Sequence, residues 1–90
     1  VEAVKWWRLA AQKGYPLAQS NLGVSYARGE GVTQDFVKAH MWKNLAASNS
    51  NEQKFTKYRD DQASIMSPAQ IAAAQALAAK CLGSNYKNCD

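Results

Sequence analysis

Apolar positions along this chain recur at helical spacing, and Gly, Pro and small polar residues divide them into five segments. Residues 1–13 place Val1, Val4, Leu9 and Ala11, with Trp6 and Trp7, on a broad apolar face, and Lys5, Arg8, Gln12 and Lys13 on the remainder. Gly14 directly after Lys13 predicts a stop, because glycine adopts the left-handed cap and a cation suits the negative helix end. Pro16 fits the first turn of a second helix over 16–28, in which Ala18, Leu22 and Tyr26 form one line. Gly23 interrupts that helix at a cost of about 1 kcal/mol against alanine, which close approach of another helix would offset. Arg28-Gly29-Glu30-Gly31-Val32 predicts a turn, its glycines free to take positive φ and Val32 able to reach the core.

A third helix is expected over 34–48, opened by Thr33 or Asp35, with Phe36, Ala39, Trp42 and Ala46 at 3–4 spacing. Ser50 followed by Gln53 predicts a capping box for a fourth helix over 51–66, with Phe55, Tyr58, Gln62 and Ile65 along one line. Ser67-Pro68-Ala69-Gln70 is a stronger start signal: an N-cap serine, proline at the first helical position and glutamine at the third. The fifth helix then runs over 68–82, with Ile71, Ala74, Leu77, Ala78 and Cys81 on a narrow apolar face, and Gly83 ends it. Residues 83–90 read as an irregular tail. No strand pattern occurs, so the fold class is all-α.

Two of these segments copy one another. Val1-Glu2-Ala3-Val4-Lys5-Trp6-Trp7-Arg8-Leu9-Ala10-Ala11 returns 36 positions later as Val37 to Ala47, holding Val, Ala, Trp, Leu, Ala and Ala in place. A period in the mid-thirties marks a helix-turn-helix solenoid, whose units bury their apolar faces only by stacking. The chain opens with valine inside such a unit and reads as a fragment or a processed product.

Composition narrows the chemistry. Ninety residues make one small domain, and Trp, Tyr and Phe must supply much of the buried area because large aliphatics are few. The net charge of +4 is spread without a cluster of four or more basic residues, which favours a solvated surface over a nucleic-acid or anionic-lipid footprint. No run of 18 apolar residues is present, so no membrane span is expected. Cys81 and Cys89 are close enough in sequence to close a loop, and a disulfide there would place the protein in the periplasm or outside the cell rather than in the cytoplasm. Two thiols and the distant His40 do not make a zinc site, and no metal or cofactor is expected.

The run Ala18, Leu22-Gly23, Tyr26, Gly29-Glu30-Gly31-Val32, Asp35, Lys38-Ala39, Trp42, Ala46-Ala47 closely resembles the Sel-one-like repeat, a branch of the tetratricopeptide-like α-solenoids. Residues 1–13 resemble the second helix of a preceding repeat and 16–48 a complete one. Residues 51–82 match the repeat poorly and resemble, more loosely, the terminal helical pair of bacterial members, on the segment Met66 to Gln75. The resemblance implies a superhelix of antiparallel helix pairs closed by capping helices. It also implies a scaffolding role, in which Leu22, Gly23, Tyr26, Gly31, Val32, Ala39 and Trp42 hold the fold. A non-catalytic adaptor in a bacterial repeat protein, binding a protein or peptide, is therefore the expected function.

Other readings are weaker. Cysteine-rich relatives proposed to bind or hydrolyse β-lactams carry a cysteine pair in each repeat, and residues 1–47 have none, so an amide hydrolase is disfavoured. Asp60 and Asp61 leave a helix about 100° apart and do not form a carboxylate pair. His40 matches Val4 in the repeat and reads as a surface histidine. A binder of nucleic acid or anionic glycan would announce itself by steep salt dependence. The expected contact surface is the concave side of helix 16–28, with Gln19, Ser20, Val24, Ala27 and Arg28, joined by Trp7. Trp6 and Trp42 share a repeat position and are expected in the core. The first helix should leave an apolar patch involving Val1, Val4 or a tryptophan, through which the chain could self-associate.

Overall fold

The computed structural model describes residues 2–86 and Cys89. Its elements are α1 (Glu2–Ala11), α2 (Pro16–Arg28), α3 (Phe36–Ser48), α4 (Gln53–Ala63) and α5 (Pro68–Gly83). No strand occurs among the described residues, so the fold is all-α, as the periodicity predicts. Val1, Lys87, Asn88 and Asp90 lie outside the described residues, and with Val1 goes its expected part in an apolar patch.

Local chemistry sets most boundaries. Gly14 takes φ 87° after α1, and Gly29 takes φ 69° as the left-handed cap of α2. Asp35 caps α3, its carboxylate accepting from the Lys38 amide at 3.1 Å. Ser67 and Gln70 form the full capping box of α5. The box expected at Ser50 and Gln53 does not form: Glu52 precedes α4 without a side-chain cap, and the Ser50 hydroxyl instead accepts from the Glu52 amide at 3.1 Å. Gly83 needs no left-handed geometry; Asn85 and Tyr86 take it instead, at φ 59° and 65°.

Helix α3 is the central post, with α2, α4 and α5 all packed on it, whereas α1 packs on α2. The α4 and α5 helices each lean on α3 more than on one another. Leu22 and Tyr26 of α2, Ala39, Met41, Trp42 and Leu45 of α3, and Ala78 and Cys81 of α5 fill one core, with Val32 packed against it from the turn. Gly23 is where α2 meets α3 most closely. A Cβ there would stand 2.8 Å from Lys43 Cγ and 2.9 Å from the Ala39 carbonyl oxygen, which explains a glycine in mid-helix.

The expected core and surface need four corrections. Trp42 is fully buried, but Trp6 at the same repeat position is 68% exposed, because α3 has helices on several sides while α1 packs on α2. Leu9, one turn on, is also exposed, so the apolar patch on α1 exists, made by Trp6 and Leu9 rather than Val4, which is buried. His40 is buried as well, covered in the seam between α3 and α4. In α4 Phe55 and Gln62 face inward, while Tyr58, and Ile65 in the turn beyond the helix, remain exposed.

The C-terminal turn folds back on the body. Cys81 and Cys89 are both buried and placed as a bonded pair, with Cα atoms 4.6 Å apart. The Tyr86 amide donates to the Cys81 carbonyl at 2.8 Å, and the Tyr86 ring lies over Gly14.

Candidate partner-binding groove

A groove of about 310 Å³ runs between α1 and α2 and is closed at one end by the turn after α2. Its α1 wall is Ala3, Val4 and Trp7; its α2 wall is Asn21, Val24, Ser25 and Arg28; Glu30 and Gly31 form the end. The spacing explains the convergence. Residues 21, 24, 25 and 28 occupy one stripe of a helix, and 3, 4 and 7 occupy another. The core line Ala18–Leu22–Tyr26 lies about a third of a turn round the helix, so Asn21, Val24 and Arg28 keep some exposure along this stripe while Ser25 at its edge is buried.

Three of the contact residues expected from sequence meet here: Trp7, Val24 and Arg28. Three do not. Gln19 is fully buried because its amide joins separate segments, donating to the Ala11 carbonyl at 3.1 Å and accepting from Asn49 Nδ2 at 3.0 Å. Asn49 Nδ2 also reaches the Tyr86 hydroxyl at 2.7 Å, so Gln19 links the ends of α1 and α3 to the C-terminal turn. Ser20 is buried, and Ala27 packs against the core while its carbonyl accepts from Gln34 Nε2 at 2.9 Å. Asn21 and Ser25 were not expected in the groove. The signal for them is the i, i+3, i+4, i+7 spacing that starts at Asn21 and includes Val24 and Arg28.

The groove floor is apolar and its rim polar. Val4 is buried and Trp7 half-buried against the core. The Ser25 hydroxyl is engaged with the Asn21 carbonyl at 3.2 Å. The Asn21 side-chain amide and the Arg28 guanidinium donate no hydrogen bond among the described residues. Arg28 pairs loosely with Glu30 at 3.6 Å, both side chains about two-thirds exposed. Such a pair contributes about 0–1 kcal/mol and is easily exchanged for another partner.

Behind the groove lies a second polar cluster, between α3 and α4. Lys43 Nζ donates to Gln62 Oε1 at 3.0 Å in buried surroundings. Burial first, and then the charge of Arg28, holds the Lys43 ammonium below its ordinary pKa, with Asp61 opposing. His40 Nδ1 and Gln62 Nε2 are buried without hydrogen-bond partners among the described residues. No set of three His, Cys, Asp or Glu side chains that could hold a metal ion occurs among the described residues. No described helix is long and apolar enough to cross a membrane.

The sequence matches the family model of the Sel1 repeat over residues 1–15 and 16–51. It is 33% identical over 66 residues to the chitin synthase regulator SKT5 of Saccharomyces cerevisiae, a match covering 73% of this chain and 10% of that protein. The chain thus spans a small part of the curated relative it matches, which is a yeast protein rather than a bacterial one. No solved structure matches significantly. Sel1 repeats generally mediate protein–protein interaction and are typically non-catalytic. With its helix order, its Gly23 contact and the Trp42 core in place, the chain belongs to the Sel1 repeat family.

Proposed function

We propose that this chain is a non-catalytic adaptor segment and that the α1–α2 groove receives a segment of a partner protein. The groove carries the reading: an apolar floor of Val4, Trp7 and Val24 beside two polar side chains, Asn21, whose amide donates no hydrogen bond among the described residues, and Arg28, held in a loose, exposed pair with Glu30. An apolar floor with a few convergent polar groups is what a recognition site needs. The seat is small beside the ~1,000 Å² of a stable interface, so it binds weakly or together with neighbouring repeats. Residues 1–13 act as the second helix of one repeat, 16–48 as a complete repeat, and 51–82 as the terminal cap. The exposed Trp6 and Leu9 supply a further contact, available to another repeat or a second copy.

Trp7 reports on the groove by fluorescence, and a Val24→Asp/Arg28→Ala variant tests it. A partner retained by the native chain and lost by that variant, at unchanged Tm, is the expected outcome. A partner bound equally by both places the interaction elsewhere. The pairing of Cys81 with Cys89 supports export to an oxidising compartment, whether periplasm or cell exterior. Mass analysis without reductant should find the chain two hydrogens light, and free thiols in oxidising buffer would remove that support.

A further inference from the structure

Taking the groove as the binding site, its electrostatics point to the kind of segment it takes. Arg28 stands at the groove's end paired with Glu30, at a distance too long for a hydrogen bond. The buried Lys43 ammonium is close enough for the two positive charges to oppose each other. Lys43 has a neutral partner, the Gln62 amide oxygen, and no ion pair among the described residues. Asp61, the carboxylate that opposes the effect of Arg28, is exposed and screened by water. Arg28 is therefore held by a loose, water-exposed pair, and a ligand carboxylate at hydrogen-bond distance would hold it more tightly.

The rest of the groove sets the ligand's shape. The Asn21 amide offers one acceptor and two donors, none used among the described residues, which suits the C=O and N–H of an extended backbone. Trp7 and Val24 flank an apolar slot over Val4 that holds one side chain. We propose that the α1–α2 groove recognises an acidic, extended peptide segment, with a carboxylate on Arg28, its backbone on Asn21 and an adjacent apolar side chain between Trp7 and Val24. Glu30 is a built-in competitor: it occupies Arg28 loosely in the free chain and yields to the ligand carboxylate.

Fluorescence anisotropy with the full chain tests this. The probe is a labelled octapeptide alternating glutamate with leucine, compared with the same peptide carrying glutamine for glutamate. The acidic peptide should bind about tenfold more tightly, the worth of one charge-assisted hydrogen bond. Arg28→Gln should abolish the difference, Asn21→Ala should weaken both peptides, and Glu30→Gln should strengthen the acidic one alone. Equal binding of the two peptides, weakened by Asn21→Ala, overturns the acidic preference and leaves the groove reading intact. Binding of neither peptide, with no change in tryptophan emission, overturns both. An oligothymidylate that binds through Arg28 as tightly as the acidic peptide overturns the peptide assignment in favour of a phosphate polymer.

Discussion

Val4 and Trp7 on α1 hold the repeat positions that His40 and Lys43 hold on α3, 36 residues on, yet the two pairs meet opposite surroundings. Between α1 and α2 the apolar pair lies beside small and short side chains, Val24 and Ser25, and a groove stays open. Between α3 and α4 the polar pair is covered: Gln62 reaches across to Lys43, and His40 is sealed in. The repeat thus fixes where a helix lies, and the variable positions decide whether its neighbour leaves a slot or closes it. The open groove is suited to a partner. The closed seam holds α4 in place with a polar cross-link whose remaining buried atoms are unsatisfied, an arrangement that costs stability.

The sharpest way to break this comparison is at the position both copies share. Trp42→Ala should destabilise by about 3–5 kcal/mol, since it empties the core between α2, α3 and α5. Trp6→Ala, at the equivalent place on α1, should cost under about 0.5 kcal/mol because the ring is exposed. Urea denaturation of the two variants measures both. Similar losses would mean that α1 is covered as fully as α3, and the contrast between the two interfaces would fall.

That contrast also marks the limit of what the sequence reveals. The helices were legible because capping and glycine chemistry is local: Gly14, Gly29, Asp35 and the Ser67–Gln70 box act within a few residues. Arg28 is legible as surface because a charged side chain off the core line stays in water, whereas Trp7 and Val24 line the groove and are only partly exposed. Trp6 was misplaced because equivalent positions in two repeats need not have equivalent neighbours. The sequence misplaces Gln19 and His40 because their burial depends on Asn49, Tyr86 and α4, segments 13 to 67 positions away that no helical period encodes.

Gly23→Ala sharpens the account of how α2 meets α3. Helix propensity alone predicts a gain of about 1 kcal/mol. The new methyl would meet the Ala39 carbonyl oxygen at 2.9 Å, and backbone cannot yield as the Lys43 stem can. Overpacking of this kind costs about 1–3 kcal/mol, so net destabilisation is expected. A raised Tm would show that the two helices can move apart at little cost. The seam itself responds to a paired test. Lys43→Met alone should destabilise by about 1–3 kcal/mol, because it strands the buried Gln62 oxygen. Adding Gln62→Leu should restore most of the loss, because a well-packed apolar seam needs no cross-link. If the double variant is as unstable as the sum of both singles, the two side chains do not couple, and the seam is held by something other than this cross-link.

The smallest effect expected is the pH dependence of the seam, and its direction is fixed. Burial first, then the charge of Arg59, holds the pKa of His40 below its ordinary value of 6.5; Lys43 adds to this and Asp60 opposes it. The folded chain therefore keeps His40 neutral where the unfolded chain begins to protonate it. The unfolded state binds more protons in that window, so stability is full above about pH 6.5 and declines as pH falls through that value toward the lower folded pKa. Ordinary carboxylates titrate near 3.9–4.3, below this window, and contribute little to the slope. Thermal unfolding followed between roughly pH 7.5 and 5.5 should show Tm falling with pH in the native chain. His40→Val, which gives α3 the residue that α1 has at Val4, should flatten that slope because it removes the titrating group from the seam. An equal slope in both chains would mean that His40 takes up its proton without leaving its place between α3 and α4, and the seam would be wetter than the groove it is contrasted with.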